Sequence, residues 1–206
     1  MDKSLLVLAA LVTSGFAASI SSRSLDNDLR EIYNLIPKQK YLEMAKRYLR
    51  DDPDFANAVA FLQGDEWNEL IKSLLAQEEI QQLIQFLEES NLPVKKYMLR
   101  IKEKLDKADT SKADRKSKGT FKRFLKEAIP LFPYEDLVAA IKKKIASSPE
   151  FRQLYTKLSS NEAGLLVERV VRLPETSKLL AYIAELGLIV DLEGKPKLED
   201  LKKEQD

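Results

Sequence analysis

The side chains here that could do chemistry are carboxylates and amines, because 33 Asp and Glu and 34 Lys and Arg stand against no histidine and no cysteine. Without imidazole there is no Ser-His-Asp triad, no histidine zinc site and no ordinary general base. Without thiols there is no thiolate nucleophile, no thiolate metal site and no disulfide. Carboxylate-only or lysine-based chemistry remains. Glu66 and Glu162 recur at equivalent places, but each follows Asp65 or Asn161 in what reads as the first turn of a helix, where a carboxylate matches the helix dipole. The chain therefore nominates no catalytic residue and no metal ligand, and is expected to be neither an enzyme nor a cofactor protein.

The residues with ordered spacing are apolar. Phe55, Ala58, Val59 and Leu62 stand at i, i+3, i+4 and i+7, and so do Phe151, Leu154, Tyr155 and Leu158, the pattern of one buried helical stripe. Leu70 and Leu74 match Leu166 and Val170; Leu83, Phe86 and Leu87 match Leu179, Tyr182 and Ile183.

Those matches all share one offset. Pro37 and Pro133, Pro53 and Pro149, Phe55 and Phe151, Glu66 and Glu162, and Leu83 and Leu179 are each 96 positions apart. The punctuation repeats too: Ser24 with Thr120, Asp52 with Ser148 and Asp65 with Asn161 as N-cap types, and Asn91 with Gly187 as helix stops. The chain is an all-α protein of two tandem repeats, 24–94 and 120–190, each read as five short helices. In the first copy these run about Leu25 to Asn34, Lys38 to Arg50, Pro53 to Gln63, Glu66 to Leu75 and Glu78 to Ser90. A sixth helix, about Pro93 to Leu105, carries Val94, Tyr97, Met98, Ile101 and Leu105 on one face; with a polar linker it fills 95–119. A charged tail, 191–206, closes the sequence, and Gly194 and Pro196 interrupt any second sixth helix.

Residues 1–17 read as a secretory signal: Lys3, an apolar run from Leu5 to Val12, then Gly15, Phe16 and Ala17 before the cut. Residues 18–206 are then one α-helical domain, secreted and without disulfides, whose stability rests on packing. No Asn-x-Ser/Thr sequon occurs. From Lys95 to Lys126 the chain holds 13 Lys and Arg against four acids, a local charge of +9. That window suits a solvated helix face or an anionic membrane surface; no phosphate loop or aromatic-basic interleaving supports nucleic acid.

One-sided helices cannot bury their stripes within a single copy, so the two copies are expected to close on each other. Periodicity leaves two closures open, a dry interdigitated core or a shell around a cavity, and the usual close packing of interiors favours the dry core.

The segments Asp51-Asp52-Pro53-Asp54-Phe55 and Ser147-Ser148-Pro149-Glu150-Phe151 are each followed by a Leu-x-x-Asp/Asn-Glu step. With Leu35-Ile36-Pro37, Leu131-Phe132-Pro133 and Leu173-Pro174-Glu175, they resemble the insect allergen-related repeat family. That family includes the cockroach midgut allergen, mosquito gut microvillar proteins and butterfly nitrile-specifier proteins. The resemblance implies the cavity: a helical shell around a large hydrophobic chamber holding fatty acids or phospholipid acyl chains, secreted to the gut lumen or microvillar surface. It also implies membrane disruption with lipid exchange, and allergenicity by kinship. Glu78 departs from the pattern, since Pro174 is its counterpart.

The expected lipid-facing residues are Phe55, Val59, Leu62, Leu70, Leu74, Leu83, Phe86, Leu87, Phe151, Tyr155, Leu158, Leu166, Val170, Leu179, Tyr182 and Ile183. Lys95, Lys96, Arg100 and Lys104 are the expected membrane-contact patch. A ligand-free protein-binding scaffold and a nitrile-specifier-like detoxification protein are the alternatives.

Overall fold

The computed structural model describes residues 23–188, and within them the chain is helical with no strand. The expected signal segment, the tail and any counterpart of the sixth helix lie outside the described residues.

The first repeat forms α1 (Arg23–Asn34), α2 (Lys38–Asp51), α3 (Pro53–Gln63), α4 (Asp65–Leu75) and α5 (Glu78–Glu89), and α6 (Val94–Asp106) follows. The second forms α7 (Lys122–Ala128) with a 3-10 turn (Ile129–Leu131), then α8 (Tyr134–Ser147), α9 (Pro149–Leu158), α10 (Asn161–Val171) and α11 (Pro174–Glu185). Both ends of α2, α4 and α5 reappear 96 residues later in α8, α10 and α11. Glu78 and Pro174 each begin their helix, so the substitution leaves the boundary in place. Pro is tolerated there because the first helical N–H needs no partner.

Caps explain the agreement. The Asp52 carboxylate accepts from the Asp54 and Phe55 N–H groups at 3.0 and 3.1 Å, and the Ser148 hydroxyl accepts from the Phe151 N–H at 3.3 Å. Asn91 and Gly187 take the left-handed conformation, with φ of 61° and 70°. The N–H of Leu92 reaches the Leu87 carbonyl at 3.0 Å, and that of Leu188 reaches Ile183 at 2.9 Å, the paired closure of a Schellman stop.

Two expected pairs of caps move. Ser24 stands inside α1, and Phe121 rather than Thr120 stands directly before α7. Asp65 and Asn161 are the first helical residues of α4 and α10, not their caps. Extended Gly64 precedes α4 without a side-chain bond, and the Ser160 hydroxyl accepts from the Ala163 N–H at 3.2 Å. The serine, one residue earlier and closer to the turn, takes the cap that Asn161 was expected to fill.

The copies pack reciprocally. α1 lies on α8 and α9, α2 on α7, α4 on α11 and α5 on α10, so each repeat supplies the same helices to the other. Within a copy, neighbours in sequence are neighbours in space, and α6 covers α3 and α5.

The linker between copies, 107–121, is fastened to α3. Asn57, only 5% exposed, donates to the Asp114 carboxylate at 2.9 Å and accepts from the Arg115 N–H at 2.9 Å. Gln63 donates to the carbonyls of Leu105 and Ala108 at 2.8 and 2.9 Å, and Thr110 donates back to it. Gly119, at φ +70°, lies so close to α3 that a Cβ would stand 2.1 Å from the Asp54 carbonyl oxygen and 2.6 Å from the Ala58 nitrogen.

Both of those neighbours are backbone and cannot swing away. Gly119→Ala should therefore cost about 3 kcal/mol or more in urea denaturation. Gly164, inside α10 with nothing near its Cβ direction, gives the opposite sign: Gly164→Ala should stabilise by up to about 1 kcal/mol.

Candidate functional site

The stripes meet in three separate apolar clusters. The largest joins α1, α5 and the region around Tyr97 to α8 and α9. Of the sixteen expected residues it holds Phe86, Leu87 and Phe151 buried, with Leu83, Tyr155, Leu158 and Leu166 half-buried against them.

The second cluster holds Phe55 and Val59, with Leu62 half-buried, against Phe121 and Leu186. It is aromatic: Phe55 lies 5.2 Å from Phe121, 5.1 Å from Phe124 and 5.5 Å from Tyr48 between ring centres. The third joins Leu74 to Val170 and Leu179, around Ile80 and Ile84. Leu70 and Tyr182 are buried and Ile183 half-buried outside all three. The stripe residues thus face other helices, but they do not share one continuous lining.

Shifted by 96, the part of the first cluster between the first helix of one copy and the third of the other becomes the second. Leu25 and Leu29 against Phe151 and Leu154 are the counterparts of Phe121 and Leu125 against Phe55 and Ala58. The third cluster mixes both copies.

Each aromatic-rich end carries a polar clamp the sequence did not reveal. Lys144 of α8 bonds Asp28 at 2.6 Å and Glu31 at 2.5 Å on α1. Asp28 is buried, and its second oxygen has no hydrogen-bond partner. Tyr48, the counterpart of Lys144, donates to Glu127, the counterpart of Glu31, at 3.0 Å, and Arg47 grips the same carboxylate at 2.6 Å. Glu127 is held below the usual carboxylate range by Arg47 and then Tyr48, and Lys144 is pushed up by its bonds to Asp28 and Glu31.

Glu66 and Glu162 part company here. Glu66 accepts the Tyr182 hydroxyl, whereas the residue facing the equivalent place is Phe86, which has none. The bond to Glu66, followed by desolvation, pushes the Tyr182 phenol up to about 12. Burial does the same for Tyr97, also to about 12. Next to Phe61 and Lys118, which touch the Tyr182 ring, a cleft of about 680 Å³ opens between the α3–α4 turn and residues 115–118.

The expected basic patch lies on α6. Lys95 and Lys104 are exposed, and Lys96 and Arg100 are half-buried. Lys95 pairs with Glu88 at 3.4 Å, and elsewhere in the basic window Lys102 pairs with Asp106, Lys118 with Glu185 and Arg123 with Asp52. The +9 is therefore partly neutralised locally. Ile101, expected on the inner face of this helix, is 48% exposed, and Leu99 is 63% exposed. Tyr97, one turn earlier on the same side of the helix, is the residue α6 buries.

A family description for the insect allergen related repeat, with nitrile-specifier detoxification, matches residues 24–192. Protein G12 of Anopheles gambiae is similar to the chain, at 26% identity over 192 residues covering 90% of this chain and 91% of that protein.

The raised groups give the pH dependence of stability a sign. Tyr97, Tyr182 and Lys144 all favour their protonated forms when folded, so their contribution is intact below pH about 10 and is lost as pH rises through the folded values. Melting temperature should be level from neutral pH to about 10 and fall steeply towards pH about 12, with Tyr97→Phe and Tyr182→Phe flattening the fall. Ultraviolet titration of tyrosinate checks it: full ionisation at the free-phenol value in a still-folded protein contradicts the environments described.

Proposed function

Starting from a chain that belongs to the insect allergen related repeat family, we propose a secreted lipid carrier, holding fatty acids or phospholipid acyl chains between its two repeats at the gut lumen or microvillar surface.

The observation that carries this reading is incomplete burial of the stripes. Eight of the sixteen expected residues, among them Leu62, Leu83, Leu158 and Leu179, are only partly buried although their helices face other helices. A dry core in a domain of this length gathers such residues into one contiguous cluster. Three separate clusters, with seven of those eight residues only partly buried against them, leave apolar surface for an apolar ligand to cover. Burial at about 0.8 kcal/mol per methylene would gain on the order of 10 kcal/mol for a chain of about sixteen carbons, before ordering costs. A ligand held this way needs no cofactor and no catalytic residue.

Such a ligand should survive purification. Organic extraction and mass spectrometry of the natively folded protein, beside a control protein from the same host, should find acyl lipid in stoichiometric amount. Absence of lipid, in a protein that also takes up no added fatty acid, leaves the ligand-free scaffold.

A second activity, docking on and disrupting membranes, is favoured by α6. Its exposed Leu99 stands one turn from Lys95 and from Lys102, an apolar and basic surface suited to an anionic bilayer. No helix among the described residues is long and apolar enough to cross one, so the contact would be interfacial. Attraction of about 1 kcal/mol per basic residue predicts that changing Lys95, Lys96, Arg100 and Lys104 together to Gln weakens binding to anionic vesicles roughly 100-fold or more at low salt. Leakage should fall in parallel and should also fall on adding salt; leakage indifferent to both removes α6 from the mechanism.

A further inference from the structure

The repeats meet along two seams that the 96-residue shift makes equivalent, α5 against α10 and α4 against α11. They are built from different chemistry. Between α5 and α10, Ile80 and Ile84 pack with Val170 and Leu173 in an apolar cluster. The counterparts of these residues across α4 and α11 are Thr176, Leu180, Leu74 and Gln77. Thr176 turns its hydroxyl back to the Val170 carbonyl of its own repeat at 2.6 Å. Leu180 is 47% exposed where Ile84 is 6% exposed. Gln77, in place of Leu173, donates to Glu175 across the seam at 3.0 Å.

α11 meets α4 through Leu179, which shares the third apolar cluster with Leu74 and Leu75, and otherwise through Tyr182 and a set of partly exposed polar groups. The Tyr182 hydroxyl donates to Glu66, and its ring meets Phe61 at 5.2 Å. Lys118 lies over the Tyr182 ring at 4.2 Å and bonds Glu185 at 2.9 Å. Glu66 and Glu185 are each about half exposed and Lys118 about a third. Hydrogen bonds and ion pairs in such places exchange for water at little net cost, whereas parting α5 from α10 exposes apolar surface with nothing to replace it.

We propose that the α4–α11 seam is the door through which an acyl chain reaches and leaves the interior, and that the α5–α10 seam is the fixed side about which it opens. This rests on the lipid-carrier reading and adds a route to it. Leu180 is the apolar residue at the door's edge, already turned to solvent.

The cysteine-free sequence makes the test direct, because introduced thiols are the only ones present. Gln77→Cys with Glu175→Cys spans the door; Gln82→Cys with Arg169→Cys spans the fixed side, where the native side chains lie 3.4 Å apart. Each pair is tethered with a short bis-maleimide in the whole protein. Transfer of cis-parinaric acid, a fluorescent fatty acid, to and from phosphatidylcholine vesicles is then timed. The door tether should slow transfer about tenfold or more with the binding plateau unchanged, and the fixed-side tether should leave the rate within about twofold. Tyr182→Phe, lacking only the hydroxyl that reaches Glu66, should speed transfer several-fold.

Equal slowing by both tethers, slowing by the fixed-side tether alone, no slowing by either, or a door tether that lowers the plateau overturns the door and leaves the carrier standing. An untethered protein that binds no parinaric acid overturns the carrier reading and the door with it.

Discussion

The structure depends on one exchange: each repeat buries its apolar stripes on the other repeat. α1 lies on α8 and α9, and α2 lies on α7, because neither copy has enough two-sided helix to make a core from its own residues. The exchange resembles an isologous dimer interface within one chain, where equivalent helices meet twice although the residues at the two places differ. It also explains why the linker is held down. Two copies that need each other gain from a connection already fixed in the docked geometry, and Asn57, Gln63 and the Gly119 approach to α3 supply it.

Departures from the repeat mark where the two halves have diverged. Position 48 is Tyr and its counterpart, 144, is Lys, yet both reach the equivalent carboxylates Glu127 and Glu31. The Lys144 version is the more buried and leaves one Asp28 oxygen unmatched, a burial that is costly unless every polar atom is answered. The Tyr48 version has Phe124 where the other has the buried Asp28, and adds an Arg47 pair. The same backbone place has therefore been stabilised once by a buried cation and once by a phenol.

Much of this was legible in the sequence, and the reason is local. Pro53, Pro149, Asp52 and Ser148 fix helix starts, and Asn91 and Gly187 fix stops, through contacts spanning a few residues. The stripes are legible because burial imposes a helical period. What the sequence hides is what depends on distant partners. Asn57 reads as an odd amide in an apolar helix, and its bonds go to residues 57 and 58 positions away. Ile84 and Leu180 share one repeat position, and only the tightness of the two seams makes one buried and the other exposed. Ile101 shows the same limit, since period alone placed it on the inner face of α6.

The rings at positions 86 and 182 show how the apolar interior is bounded. Lys157 lies over Phe86 at 5.1 Å, and Lys118 lies over Tyr182 at 4.2 Å. The two ammonium groups come from unrelated places: Lys157 belongs to α9, at the counterpart of Phe61, whereas Lys118 belongs to the linker. Phe61 occupies the place against Tyr182 that Lys157 has against Phe86, so the linker lysine restores a cation that the repeat position lost. A cation over an aromatic face keeps its charge in water while its stem covers hydrocarbon. Both stripes thus end at a ring with one face inward and the other under a solvated charge, a boundary that resists water from outside without placing an ion among the apolar residues within.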